Sequence, residues 1–303
     1  LDFEVTILGS NSAIAQHGRY PTAQVVRLGS QLFLVDCGEG TQYRILQNEI
    51  KWFKINDIFI SHLHGDHYYG LIGLITTYNL LKRKDKLYIY APSILKEIIE
   101  LHLKASHTTL NYELEFIATN DDALHKIYEN SVCEIYSFPL THKIATTGFL
   151  FKEKTFLRRL DIEKITKLDI NNQKYKLLQQ GLDIEDEYGN FYKNEDLTFD
   201  AKPARSYAFC SDTMYDEKII EYIRGVDFLY HEATFMEDAK QRATETKHST
   251  AIDAANIALK AQVKKMIVGH FSSRYADLQP LLNQAKTIFE NTELAEEGKT
   301  FVL

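Results

Sequence analysis

Short runs rich in β-branched and aromatic residues alternate along the chain with longer stretches whose apolar positions recur every three to four residues. These are the two periods that separate half-buried strands from amphipathic helices. "FEVTILG", "AQVVRL" and "QLFLVDCG" read as opening strands, Thr41 to Asn48 as a helix and "NDIFISH" as a strand. "LIGLITTYNLL" then predicts a helix, "KLYIYA" a strand, "PSILKEIIELHLK" a helix with Pro92 in its first turn, and "CEIYSFPL" a strand. Farther on come "SYAFCSD", the helix "EKIIEYIRG", the strand "VDFLYHEAT", a helix from Thr250 to Lys260, the strand "KKMIVGH", a helix from Leu278 to Phe289 and a closing "TFVL". The pattern is that of an α/β chain.

Ligand-type side chains recur where these strands end: Asp36, His62, His142, Asp212, His231 and His270 each close an apolar run. In α/β architectures functional groups gather at strand ends, where a rigid element meets a loop free to shape a site, so six such residues point to one shared site. The densest segment is "ISHLHGDHYYG" at 60–70. His62 and His64, two apart, continue an extended conformation and point to one side, a usable pair for one metal. Gly65 lets the chain turn, and Asp66 and His67 beyond it aim toward a second metal. Both sites need ligands from distant strand ends, for which His142 in "PLTH", Asp212 in "CSDT" and His270 in "VGHFSS" are candidates. Asp212 is the natural bridge, because a carboxylate can offer one oxygen to each ion. The isolated His17, His102, His107 and His125 are expected to be ordinary surface or core residues.

Composition narrows the picture. With 303 residues, 45% hydrophobic and 25% charged, the chain can bury a sizeable core and is not disordered as a whole. Its net charge of -7 means that any nucleic-acid contact must come from a local basic patch. Cys37, Cys133 and Cys210 are odd in number and lack C-x-x-C spacing, which fits buried thiols in a reducing compartment and argues against a disulfide framework or a zinc ribbon. The opening "LDFEVTILGSNS" has no basic n-region or apolar h-region, so a cytoplasmic location is expected. The most apolar segment, Tyr68 to Leu81, is too short to span a bilayer, and no membrane association is expected.

One segment breaks the alternation. Residues 152–200 have few strand signals and divide by charge: 152–176 carry eight basic residues against four acidic, and 183–200 carry seven acidic residues against Lys193 alone. A structureless stretch of this length inside a compact domain is usually functional or mobile. A single domain over 1–303 with an insertion at about 152–200 is therefore expected.

Taken together, the motifs resemble a known family. "SHLHGDH" resembles the signature of the metallo-β-lactamase superfamily. "DCGEGTQYR" at 36–44, "HEATF" at 231–235, "KHSTA" at 247–251 and "GHFSSRY" at 269–275 resemble the ribonuclease Z family of tRNA 3′-processing endonucleases, in the expected order over nearly the whole chain. The resemblance implies a four-layer αβ/βα sandwich with an inserted arm and with metals at one edge. It implies that His62, His64 and His142 bind one zinc ion, that Asp66, His67 and His270 bind the other, that Asp212 bridges them, and that Asp36 is a buried carboxylate fixing a ligating histidine. Manganese or iron is also compatible with such donors. Asp66 would orient the attacking water, and His248 would protonate the leaving oxygen, ahead of a helix capped by Ser249 or Thr250 and with Glu232 as its partner. Ser272, Ser273 and Arg274 follow the last ligand and suit phosphate contacts.

The implied substrate is precursor tRNA, gripped by the arm across a homodimer, with Arg158, Arg159, Lys164 and Lys167 in the arm's basic half as phosphate contacts. The chain departs from the family in two places. The Gly-Pro-rich arm motif is replaced by "FLRRLDIEKITKLDINNQKYK", and the first loop reads "QHGRYPT", keeping only Arg19 of its usual basic residues. The rival expectations are a hydrolase of small phosphodiesters on the same fold and an RNA-binding paralogue without turnover.

Overall fold

The computed structural model describes residues 2–303. Two compact units are present: residues up to Lys152 together with those from Arg205 onward form one, and Glu153–Ala204 forms the other.

The larger unit is built on two seven-stranded sheets. In the first the order is Thr300–Val302, Phe3–Gly9, Ala23–Leu28, Gln31–Val35, Ile55–Phe59, Leu87–Ala91, Leu114–Ala118. In the second it is Thr292–Leu294, Lys265–Gly269, Phe228–Glu232, Ser206–Cys210, Thr146–Glu153, Cys133–Leu140, His125–Glu129. The alternation of strand residues explains the layering. Phe33, Val35 and Phe59 meet Phe149, Phe151 and Tyr207 from the second sheet in one core, with the Phe59 ring 5.4 Å from that of Phe149. Their neighbours Leu34, Ile58 and Ile60 turn the other way, onto Leu71, Leu74, Ile75 and Tyr78 of the helix Leu71–Leu80 and Leu95 and Ile99 of the helix Ile94–Ala105. On the second sheet the helix Ala251–Ala261 packs with seven buried residues. Two sheets face to face with helices outside both are the four layers expected.

Topology places the chemistry. Gln31–Val35 runs parallel to Ile55–Phe59, and Ser206–Cys210, Phe228–Glu232 and Lys265–Gly269 run parallel to one another. Parallel strands deliver their C-terminal ends to the same edge. The strands stop sooner than their apolar runs: "NDIFISH" leaves the sheet at Phe59 and "QLFLVDCG" at Val35. Asp36 and His270, just past strand ends, adopt left-handed backbone angles, with φ of 56° and 58°. Such strain concentrates at functional positions.

Several elements carry no clear periodic signal. Thr146–Glu153 is buried at seven of its eight positions, so it cannot alternate. Gly148 lets it pack, because a Cβ there would lie 2.4 Å from the Phe138 ring. Leu114–Ala118 and His125–Glu129 are partly exposed edge strands.

The smaller unit is not the structureless insertion its composition suggests. Helices Ile162–Lys167, Tyr175–Gln179 and Asn194–Leu197 and two two-stranded ribbons surround a core of Ile165, Ile170, Leu178, Ile184 and Leu197. Buried Asn194 ties it together by donating to the carbonyls of Leu178 and Leu182. Elements of two to six residues are too short to show a period.

The buried acid Asp57 stands outside the site. Asp57 faces the inter-sheet core, where the Tyr90 hydroxyl donates to it at 3.3 Å, and burial raises its carboxyl from 3.8 to about 6. A carboxyl whose pKa is higher folded than unfolded stabilises the fold below about pH 4, and that contribution is lost as pH rises through about 6. Asp57→Asn is therefore expected to raise stability at pH 8 by an amount on the order of 2 kcal/mol, with the gap closing below about pH 4. Urea melts of both proteins across pH 4–8 measure it.

Candidate metal centre

The edge where the strands end brings seven donor side chains onto two points. The chain leaves Ile55–Phe59 and stays extended through His64, whose φ and ψ are -75° and 146°, so that His62 and His64 fall on one side with Nε2 and Nδ1 3.0 Å apart. It then enters a short helix, Gly65–Tyr68, which carries Asp66 and His67. Gly65 does not supply a left-handed turn here; it sits under the Tyr69 ring, 2.2 Å from where a Cβ would be. Two other glycines set the spacing. A Cβ on Gly38 would lie 2.4 Å from the Asp66 carbonyl oxygen, and one on Gly70 would lie 2.2 Å from the Gly38 oxygen. Loop and helix touch backbone to backbone only because both positions lack side chains.

The first group of donors is His62 Nε2, His64 Nδ1, His142 Nε2 and Asp212 Oδ2. Besides the 3.0 Å pair, His64 and His142 are 3.2 Å apart, and Asp212 Oδ2 lies 3.5 Å from His62 and 3.6 Å from His142. The second group is Asp66 Oδ2, His67 Nε2, His270 Nε2 and Asp212 Oδ1. Asp66 lies 3.5 Å from His67 and 3.4 Å from His270, and Asp212 Oδ1 lies 3.3 Å from His67 and 3.1 Å from His270. Four donors about 2.0–2.1 Å from a tetrahedral zinc stand roughly 3.3 Å from one another. Both groups match that edge length, and each takes one oxygen of the buried Asp212.

Supporting hydrogen bonds aim the lone pairs. Asp36, fully buried, accepts from the Ser61 amide at 2.8 Å and the Ser61 hydroxyl at 2.9 Å, and its Oδ2 accepts from His67 Nδ1 at 2.7 Å. That fixes the proton of His67 on Nδ1 and leaves Nε2 as a lone-pair donor, a buried nitrogen with no hydrogen-bond partner among the described residues. His142 Nδ1 donates to the Lys247 carbonyl at 2.9 Å, and His270 Nδ1 to Thr234 Oγ1 at 2.9 Å. The orphaned His67 nitrogen and the converging donors fit a divalent metal cofactor.

Electrostatics agrees. Burial, and then the charge of His67, pushes His62 down to about 3, and burial lowers His64 and His142. Burial opposes charge on Asp212 and Asp66, but His270, His67 and His62 hold the first carboxyl well below the usual range, and His67 and His270 hold down the second. Burial keeps His62, His64 and His142 from protonating, whereas His67, although burial opposes its charge, is raised well above its usual value by Asp212, Asp66 and Asp36, so the carboxylates draw positive charge to this point.

Beside the donors lies a second constellation. Glu232, fully buried, accepts from the Thr213 amide at 2.9 Å, from Thr234 Oγ1 at 2.6 Å and from His248 Nδ1 at 2.7 Å. Burial opposes charge on His248, but Glu232 and then Asp212 raise it to about 9. His248 Nε2 is left facing the donors, 3.9 Å from Asp212 Oδ2. The following helix is capped by Thr250 in a capping box with Asp253, while the Ser249 hydroxyl donates to the Thr213 carbonyl.

Not every expected residue arrives. His231 adjoins Glu232 on one strand, so alternation sends it to the opposite face, where it is buried with Nδ1 on the Glu232 carbonyl. Arg19 is consumed internally: it donates to Asn11 Oδ1 at 2.8 Å and to the Tyr275 carbonyl at 2.5 Å, tying the first loop to the loop after His270. Ser272 and Arg274 do line the cleft of about 460 Å³ above the donors. In the smaller unit Arg158 pairs with Asp200 at 2.6 Å, Lys167 with Glu163 at 2.8 Å, Lys164 donates to the Asp196 carbonyl, and Arg159 lies over the Phe199 ring. Ser61, Thr213 and Thr234 lie inside the motifs "SHLHGDH", "CSDT" and "HEATF", but nothing in the sequence marks a serine or threonine as a support.

Known proteins resemble the chain throughout. The family described as "Anti-Pycsar protein Apyc1" matches residues 3–292. A ribonuclease Z of Cytophaga hutchinsonii is 42% identical over 302 residues, covering 99% of this chain and 96% of that one. A ribonuclease Z of Bacteroides thetaiotaomicron is 42% identical over 301 residues, covering 98% and 94%. Among solved structures, the short form of human tRNase Z superposes with a TM-score of 0.71 at 24% identity, covering 98% of each chain. A diphosphatase of the PhnP family superposes with 0.64 at 17% identity, covering 99% and 97%, so the fold alone does not choose a substrate.

Asp36→Asn keeps the shape of the carboxylate but loses its charge. It is expected to weaken metal affinity by about 10–100-fold without unfolding the chain. Competition against a chromophoric chelator, beside a melting curve, checks it.

Proposed function

The chain belongs to the ribonuclease Z family, and residues 3–292 to the family of the Apyc1 description as well; from that membership and the site geometry we propose that it is a two-zinc endoribonuclease that removes 3′ trailers from tRNA precursors and leaves a 3′-hydroxyl. The observation that carries this reading is the meeting of two tetrahedral donor groups on the two oxygens of Asp212, with the Glu232–His248 pair alongside.

Two zinc ions held by these groups would supply a strong nucleophile from water at neutral pH and offset charge on the phosphoryl oxygens. The remaining work falls to the chain. Asp66, which lines the cleft, orients the attacking water and takes up its proton. His248 presents Nε2–H to the leaving 3′ oxygen, and Glu232, held by Thr213 and Thr234, keeps that imidazole oriented and charged. Thr234 links the two functions, since its hydroxyl donates to Glu232 and accepts from ligand His270.

The arm, Glu153–Ala204, is proposed to grip the tRNA body through Arg158, Arg159, Lys164 and Lys167. Its ion pairs are exposed and worth little, so phosphate can replace them. A homodimer working in the cytoplasm is part of the same proposal. Among the described residues no helix is long and apolar enough to cross a membrane. A second reading, hydrolysis of small phosphodiesters, draws on the internal pairing of the arm's basic residues. The complete donor set speaks against an RNA-binding paralogue without turnover.

A 3′-extended tRNA precursor, an unstructured RNA and a chromogenic phosphodiester, each with and without chelator, separate these readings. Chelator-sensitive release of the trailer is expected; cleavage of the dye substrate alone would overturn the tRNA assignment. In the same assay His248→Ala should lower precursor cleavage by about 10²–10⁴-fold with metal content unchanged, and loss of metal instead would show that His248 is a ligand.

A further inference from the structure

The cleft above the donor groups has walls of one character. Apart from Asp66, Asp212 and His248, its charged liners are Arg242 and Arg274, and the other polar liners outside the donors are the hydroxyls of Ser12, Thr234, Thr246 and Ser272. Arg242 and Thr246 lie one turn apart on the helix Lys240–Thr246, whose chain continues through the left-handed Lys247 to His248. Arg274 comes from the loop after His270, and its guanidinium lies 5.0 Å from the centroid of the Phe235 ring. Arg242 pairs with Glu245 at 3.6 Å, with both side chains more than half exposed, a contact that a phosphate readily replaces. A guanidinium offers a planar fork of donors matched to phosphate oxygens. The scissile phosphate belongs to the metal donors, so the two guanidinium groups of the same cleft have an anion of their own to bind.

We propose that Arg242, with Arg274, forms a subsite for a phosphate adjoining the scissile one, so that the enzyme prefers a phosphodiester with a neighbouring phosphate to an isolated one. This rests on the phosphodiester-hydrolase reading above and makes Arg242 a specificity-determining residue that sequence reasoning did not single out.

The test compares the dinucleotide ApU with pApU and ApUp on the metal-loaded protein. The readout is the ratio of kcat/KM with and without the added phosphate, or of inhibition constants against the dye substrate where cleavage is slow. The wild type is expected to gain roughly tenfold from at least one added phosphate, Arg242→Ala to lose that gain and Arg242→Lys to keep part of it. Metal content and melting curves of the variants confirm that they fold. A wild type with no gain, or a gain undiminished in Arg242→Ala, overturns the proposal. Because dinucleotides report on the subsite whether or not tRNA precursors are cut, its failure and that of the tRNA assignment are told apart.

Discussion

The site depends on one buried carboxylate. Asp212 stands with each oxygen inside a different ring of donors, Oδ2 beside His62 and His142 and Oδ1 beside His67 and His270, all at 3.1–3.6 Å. Packed this closely without protons or cations between them, such lone pairs repel. The donors therefore converge in an arrangement that suits a divalent cation. The fully buried Asp36 behind His67, and Glu232 behind His248, settle where the remaining protons sit.

The fold makes that arrangement possible by bringing residues far apart in sequence to one edge. His62 and Asp36 leave adjacent parallel strands of the first sheet, while Asp212, Glu232 and His270 leave three parallel neighbours of the second. The aromatic core between the sheets, with Phe33, Phe59, Phe149 and Phe151 in mutual contact, holds the two sets of strand ends in register. The close approach of Gly38 to Asp66 and of Gly70 to Gly38 then seats the helix that carries Asp66 and His67 against the loop that carries Asp36.

Much of this was legible in the sequence because the candidate donors announce themselves twice, by residue type and by position at the ends of apolar runs. The turn between His64 and Asp66 follows from local spacing, and the position of Asp212 between the two donor groups was expected from what a carboxylate can do. Legibility failed where the signal was absent or shared. His231 occupies a strand end like the others, but a period of two gives Glu232 the site and buries His231 on the opposite face. Ser61, Thr213 and Thr234 act only through hydrogen bonds, and their residue types are too common to stand out. Thr146–Glu153, buried on both faces, has no alternation to read. The arm's short elements fall below the length at which a period can be seen, and its divided charge concealed internal pairing such as Arg158 with Asp200.

Anomalous diffraction from zinc-loaded crystals tests the central claim most directly. Two peaks are expected, one enclosed by His62, His64, His142 and Asp212 and the other by Asp66, His67, His270 and Asp212, with a different Asp212 oxygen on each. A single peak, or two peaks of which Asp212 reaches only one, would contradict it.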